Sequence, residues 1–283
     1  MIRIIDTYAQ IGALFDNGAF NMEKWERYIN TIYDNAAQIF IEDSADYVFD
    51  TDILPVLSAV YENPALKTLH ASFCEVTDGL NEKIIERFGC AVDVDIVLYV
   101  GLCNGAGWVT NINGRDVILL GIEKILELDW CGVSSMYGLI YHELGHVYHK
   151  QHGVFHQEST DNRRAFIWQL FTEGAAMYFE QALVGDFNYY HQDTDGWLRW
   201  CENHCSQILA DFCEDLPTMT RENQRYFGDW VNYYGHGDVG YYLGTKFLQV
   251  LCAEQDFRSV IHMTLDEIAE AFLSFAAKRF DRG

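Results

Sequence analysis

Five residues near the middle of this 283-residue chain have types and spacing suited to chemistry: His142-Glu143-Leu144-Gly145-His146, the HExxH pattern. Four residues make slightly more than one turn of an α-helix, so on a helix both imidazoles leave the same face and can bind one ion. Glu143 then stands about 100° round the axis from His142, beside the ion rather than on it. Neutral imidazoles suit zinc, and a carboxylate that does not ligate the ion can take a proton from the water that the ion acidifies. The pattern predicts a zinc site served by Glu143 as general base.

Zinc held by two histidines needs a third protein ligand, and three residues are candidates. Glu173, in Phe171-Thr172-Glu173-Gly174-Ala175-Ala176-Met177-Tyr178, comes after His146 with twenty-six residues between them and falls on the next long helix. It faces the apolar row Ile167, Leu170, Ala176 and Met177, where a carboxylate is expensive unless it is paired or ligating. Gly174 and Ala175 beside it should let that helix approach the first closely. His152 lies six residues after His146, where the HExxHxxGxxH pattern has its third histidine. His149, however, occupies the place of the glycine that turns the chain in that pattern. Cys103, in Gly101-Leu102-Cys103-Asn104-Gly105, would give a thiolate ligand resembling the Cys-plus-HExxH arrangement of peptide deformylases, without the residues that surround it there.

Together with the Glu173 segment, HELGH resembles the gluzincin clan of zinc metallopeptidases, whose aminopeptidase members show HExxH and then EGxAxY, here Glu173 to Tyr178. Tyr241-Tyr242-Leu243-Gly244 is similar to the YxxG segment of those aminopeptidases, at a similar interval from the glutamate, and the resemblance spans roughly residues 95–250. It implies a zinc-dependent hydrolysis of peptide bonds by a zincin-like fold. His142, His146 and Glu173 would be the zinc ligands, Glu143 the general base and Tyr241 a donor to the tetrahedral intermediate, with a peptide or protein as substrate. Gly105-Ala106-Gly107-Trp108-Val109 falls where such enzymes keep an edge strand that pairs with the substrate backbone. That segment lacks the glutamate with which aminopeptidases grip a free amine, so cleavage at a chain end and cleavage inside a chain both stay open. So do two other uses of these residues: a regulatory protease-like protein acting on one specific partner, and a non-catalytic protein that holds zinc for structure.

Other polar residues have plainer readings. His149 shares the helix face of His142 and suits a helix C-terminal cap or packing. His236 sits in the glycine-rich stretch Tyr234-Gly235-His236-Gly237, just before Tyr241, where thermolysin-like relatives use a histidine on the oxyanion. Tyr189, Tyr190, Trp197 and Trp200 read as core before they read as a subsite. The eight cysteines include no CxxC pair, which points to reduced thiols.

The elements that must hold these residues are set by apolar spacing. Residues Met22, Trp25, Tyr28, Ile29, Ile32, Tyr33, Ala36, Ile39 and Phe40 keep a helical period behind Asn21 as cap. Short helices are expected near 53–61 and 82–88, the latter ended by Gly89. Residues 91–100 turn to β-branched and aromatic types, and Asn113-Gly114 between apolar runs over 108–120 predicts a hairpin. Helices are expected over 122–128, from a cap at Ser134 or Ser135 through the HExxH residues, and over 161–184, 197–212 and 239–252. A last one opens with the capping box Thr264 to Glu267. The reading is an α+β, mainly helical fold. Its small mixed sheet, with an exposed edge strand, packs on the HExxH helix, and the active-site cleft lies between the sheet and the later helices. The organisation reads as an N-terminal helical region (1–90), a sheet lobe carrying the HExxH helix (91–160) and a C-terminal helical lobe with the third ligand (161–283).

Composition limits the partners. With 49% apolar residues the chain can bury a large core, which excludes disorder as its main state. A net charge of −23 repels phosphates, so nucleic acid and anionic membranes are poor partners. The opening MIRIIDTYAQIG lacks a basic, then apolar, leader, and no run is long enough to span a bilayer, so the expectation is a cytoplasmic protein.

Overall fold

Strands β1 (Arg3–Asp6), β4 (Asp95–Tyr99) and β6 (Arg115–Gly121) pair in parallel, and β5 (Trp108–Ile112) runs antiparallel to β6, giving the order β1-β4-β6-β5. The computed structural model describes residues 1–157, 159–228 and 230–280. Every residue of β4, and all of β6 after Arg115, is buried, as expected for central strands that read as continuous Ile, Val and Leu. Asn113 and Gly114, both at positive φ, make the hairpin turn between β5 and β6. Asp95 is buried at the start of β4 because Arg3, Arg115 and Tyr33 all bond its carboxylate. A two-stranded ribbon, β2 (Phe15–Asp16) and β3 (Ala19–Phe20), lies outside the sheet.

Met1–Glu143 and Leu144–Gly283 form two compact units. In the first, α1 (Met22–Ile32) is capped by the Asn21 side chain on Lys24 N–H, as the sequence predicts. The helix stops eight residues short of Phe40. Tyr33 turns extended to put its hydroxyl on Asp95, and Asn35 at φ +59 restarts the chain as α2 (Ala36–Asp43). A π-turn (Phe49–Ile53) leads into α3 (Leu54–Ser58), then come α4 (Leu66–Thr77) and α5 (Leu80–Phe88), the latter ended by Gly89 at φ +77. After the hairpin come α6 (Ile122–Glu127) and α7 (Val133–Tyr137).

From α7 the backbone stays helical through a π-turn (Gly138–His142) into α8 (Glu143–His152), so 133–152 is one helical run. It starts at Val133 behind Gly132, without a side-chain cap, rather than at Ser134 or Ser135. The second unit continues with α9 (Asn162–Val184), whose cap Asp161 accepts from Arg163 N–H. The helix expected over 197–212 is two, α10 (Trp197–Asn203) and α11 (Cys205–Asp215), interrupted at His204. Then come α12 (Val239–Glu254), α13 (Phe257–Val260) and α14 (Leu265–Phe280). The Thr264–Glu267 box forms reciprocally, with Thr264 N–H donating to the Glu267 carboxylate and Glu267 N–H to Thr264 Oγ1. Phe212, Phe247, Phe272 and Phe275 close the core between α11, α12 and α14. The protein is thus mainly helical with a small mixed sheet, and no described helix is long and apolar enough to cross a membrane.

Candidate metal centre

His142 ends the π-turn and His146 stands one turn later in α8, so both rings come from a single stretch of helical backbone. The division between the two compact units falls after Glu143, within this stretch. One ligating atom from each of His142, His146 and Glu173 lies within 4.8 Å of the other two, and His146 Nε2 stands 3.3 Å from Glu173 Oε2. A tetrahedral centre with bonds of about 2.0–2.2 Å has ligand-to-ligand edges of roughly 3.3–3.6 Å, which that separation matches. Two imidazoles and a carboxylate are also a donor set that divalent transition metals favour over magnesium or calcium. The His146 and Glu173 side chains keep 18% and 17% of their surface in contact with solvent, whereas His142 is buried. Glu143, half-buried, is the next residue after His142.

Backbone contacts made by glycine bring Glu173 to this point. A Cβ on Gly145 would lie 2.7 Å from Ala176 Cα, so α8 and α9 touch main chain to main chain beside His146. Gly174 serves a different neighbour from the one its position suggests. Its Cβ would meet the Gly244 carbonyl oxygen at 2.4 Å, which puts the close approach of Gly174 on α12, while the approach of α9 to α8 rests on Gly145. The three glycines of HELGH, EGAA and YYLG therefore fasten α8, α9 and α12 around the carboxylate.

A second group shares His142. Glu180, seven residues after Glu173 on the same side of α9, is completely buried, and His191 Nδ1 lies 2.9 and 3.0 Å from its two oxygens. His142, Glu180 and His191 also fall within 4.8 Å of one another. Sequence reasoning missed both residues. The signal was present for Glu180, an acidic residue among Met177, Phe179, Ala182 and Leu183, and it is the same argument that singled out Glu173.

The remaining candidates lie elsewhere. His152 stands at the end of α8 with its ring 4.7 Å from that of Tyr148, and belongs to neither group. Cys103 is buried in the first unit, its backbone N–H donating to Glu123, and burial pushes its thiol up to about 12, which makes it a poor thiolate donor at neutral pH. His149 is fully buried with Nε2 2.9 Å from the Val154 carbonyl, and burial first, then the nearby His146, lowers it to about 4. It packs as a neutral ring. His236 stacks on Trp200 at 3.9 Å, and Tyr190, Trp197 and Tyr242 form one aromatic cluster in the core. Tyr241 is half-buried in the first turn of α12, its ring edge-on to Phe227, one turn before Gly244. All eight cysteines are free, four of them buried.

No family model matches the chain, and no curated protein and no solved structure matches it either.

Proposed function

We propose that this protein is a zinc-dependent peptidase of gluzincin type, with His142, His146 and Glu173 as ligands and Glu143 as general base. The observation that carries the reading is the convergence of a helix-borne HExxH pair with a carboxylate from the next long helix, at a spacing suited to one ion. These three residues would hold the zinc, which when bound would supply Lewis acidity for a water and for the scissile carbonyl. Glu143, next to His142 in the chain and outside the ligand set, would be the base that accepts a water proton and passes it to the leaving amine. Glu180, whose carboxylate lies within 4.8 Å of a His142 ring nitrogen, adds negative charge beside that ligand, and His191, on both Glu180 oxygens, holds that carboxylate in place. Tyr241 donates to the oxyanion.

A zincin-like arrangement of sheet and helix is part of the proposal. Gly107, at the start of the β5 arm, supports it: a Cβ there would meet Leu139 of the HExxH-bearing helical run at 2.8 Å. On this reading β5, which pairs along one side only among the described residues, offers its free edge to an extended peptide. The substrate is a peptide or protein met in the cytoplasm, not nucleic acid or a membrane, in keeping with the net charge of −23.

The test combines metal content with turnover of a quenched-fluorescent peptide library. After dialysis against a weak chelator, His146→Ala and Glu173→Ala come out empty, whereas His152→Ala and Glu143→Gln keep about one tightly held zinc per chain. Glu143→Gln loses about 10²- to 10⁴-fold in peptide turnover. Equal turnover by Glu143→Gln and the parent protein, or an empty His152→Ala protein, refutes the assignment.

A further inference from the structure

A cluster in the first unit has no part in the proposed peptidase site. Asp6 closes β1, and His70 and Cys74 stand one turn apart on α4; their carboxylate, imidazole and thiol donors lie within 4.8 Å of one another. The three converge on one ring atom. His70 Nε2 is 2.7 Å from Asp6 Oδ2 and 3.5 Å from Cys74 Sγ. Two of the donors are also fixed in direction. Tyr8 N–H donates to Asp6 Oδ1 at 2.9 Å, which turns Oδ2 toward His70, and the Tyr8 ring stacks on the His70 ring at 4.0 Å and 3°.

We propose that Asp6, His70 and Cys74 form a second divalent-cation site, specific for zinc or a similarly soft ion. An imidazole and a thiolate select such ions over magnesium and calcium, and a carboxylate completes the protein ligands. Tetrahedral zinc with nitrogen, oxygen and sulfur ligands has edges of about 3.3–3.7 Å, so the nitrogen-to-sulfur distance already fits. The shorter nitrogen-to-oxygen distance is that of the proton bridge between His70 and Asp6 that an ion would replace. Asp6 and Cys74 reach the surface, leaving the fourth position to water. Binding ties α4 to the end of β1 and expels the thiol proton. With Asp6 and Cys74 exposed where His142 is buried, this site is the more open of the two, and a weak chelator empties it.

Cobalt(II) titration of the reduced, full-length protein tests this independently of the peptidase reading. Only a thiolate ligand gives the near-ultraviolet sulfur-to-cobalt charge-transfer band, which two histidines and a glutamate cannot produce. The parent protein and His146→Ala show the band, and Cys74→Ser and His70→Ala lose it. Zinc added to His146→Ala raises its Tm, and the rise disappears in the His146→Ala/Cys74→Ser protein. A parent protein without the band, or a band that survives Cys74→Ser, overturns the proposal.

Discussion

Gly145→Ala adds one methyl group at the point where α8 meets α9. The new Cβ would lie 2.7 Å from Ala176 Cα, 3.0 Å from its carbonyl oxygen and 3.2 Å from its carbonyl carbon. All three are main-chain atoms, so no side-chain rotation relieves the clash. Restoring ordinary van der Waals contact requires the helices to part by roughly 0.7 Å. Overpacking of this kind costs about 1–3 kcal/mol. Alanine recovers about 1 kcal/mol over glycine inside a helix, leaving a net loss of about 0–2 kcal/mol and a Tm lower by up to roughly 6 °C.

The larger effect falls on the metal. Gly145 directly precedes His146, and Ala176 lies one turn after Glu173, so parting the helices at this contact widens the 3.3 Å gap between the two ligand atoms. A widening of several tenths of an ångström exceeds the tolerance of about 0.2 Å for zinc ligands. Zinc affinity, measured by competition with a chromophoric chelator, should fall about 10- to 100-fold, as it does when ligands are misoriented in other sites. Gly132→Ala is the control, because a Cβ there meets nothing within 4 Å. Unchanged affinity in Gly145→Ala would refute the positioning role whether or not the Tm falls.

Two further predictions concern single groups. Tyr241→Phe should leave zinc content and Tm nearly unchanged while lowering kcat on peptides by about 10²- to 10³-fold. Tyr242→Phe, deep in the cluster with Tyr190 and Trp197, should instead lower stability and spare kcat per folded molecule; the reverse pattern would move the donor role off Tyr241. Burial raises the Glu123 carboxyl from its ordinary 4.5 to about 7. Between those values the folded protein keeps a proton that the unfolded chain has released. This contribution is complete below pH 4.5 and is lost as pH rises through 7, an effect of up to about 3 kcal/mol. Urea unfolding across that range should show the decline in the parent protein and a flatter profile in Glu123→Gln, and equal slopes would contradict the buried, protonated carboxyl.

Legibility in the sequence tracked how local each determinant is. The Asn21 cap, the Thr264–Glu267 box and the Asn113-Gly114 turn are settled within four residues, and each forms where the sequence places it. Strand β1 was not legible. Its Arg3–Asp6 segment is short, and its partner in the parallel sheet begins ninety-two residues later, at Asp95. Helix α4 lies outside the expected helices although its apolar residues Leu66, Leu69, Phe73 and Val76 keep the helical period. Within the candidate centre, helical spacing placed His142 beside His146, and an expensive position exposed Glu173. His191 could not be foreseen, because a loop histidine acquires meaning only when a buried carboxylate from another element meets it.

The helical run that carries HExxH also departs from what stability alone would select. Leu139 to His142, Leu144, Gly145 and Val147 to His149 are all buried, so the run is enclosed on most of its circumference, and apolar side chains would fill it at the lowest free energy. It holds His142, Glu143 and His146 instead, faces the Glu173 and Glu180 carboxylates, and changes to π-helical winding over the five residues that end at His142. Each feature costs more than an apolar filling: polar groups lose their hydration on burial even when partnered, and a π-turn has poorer hydrogen bonds. On the proposed reading, one ion would draw on two imidazoles and a carboxylate together, which is what such a polar interior would make possible. The glycines at 145, 174 and 244 bring these helices close together, Gly145 against Ala176 and Gly174 against Gly244, which shortens the reach that the carboxylate and the imidazoles must span.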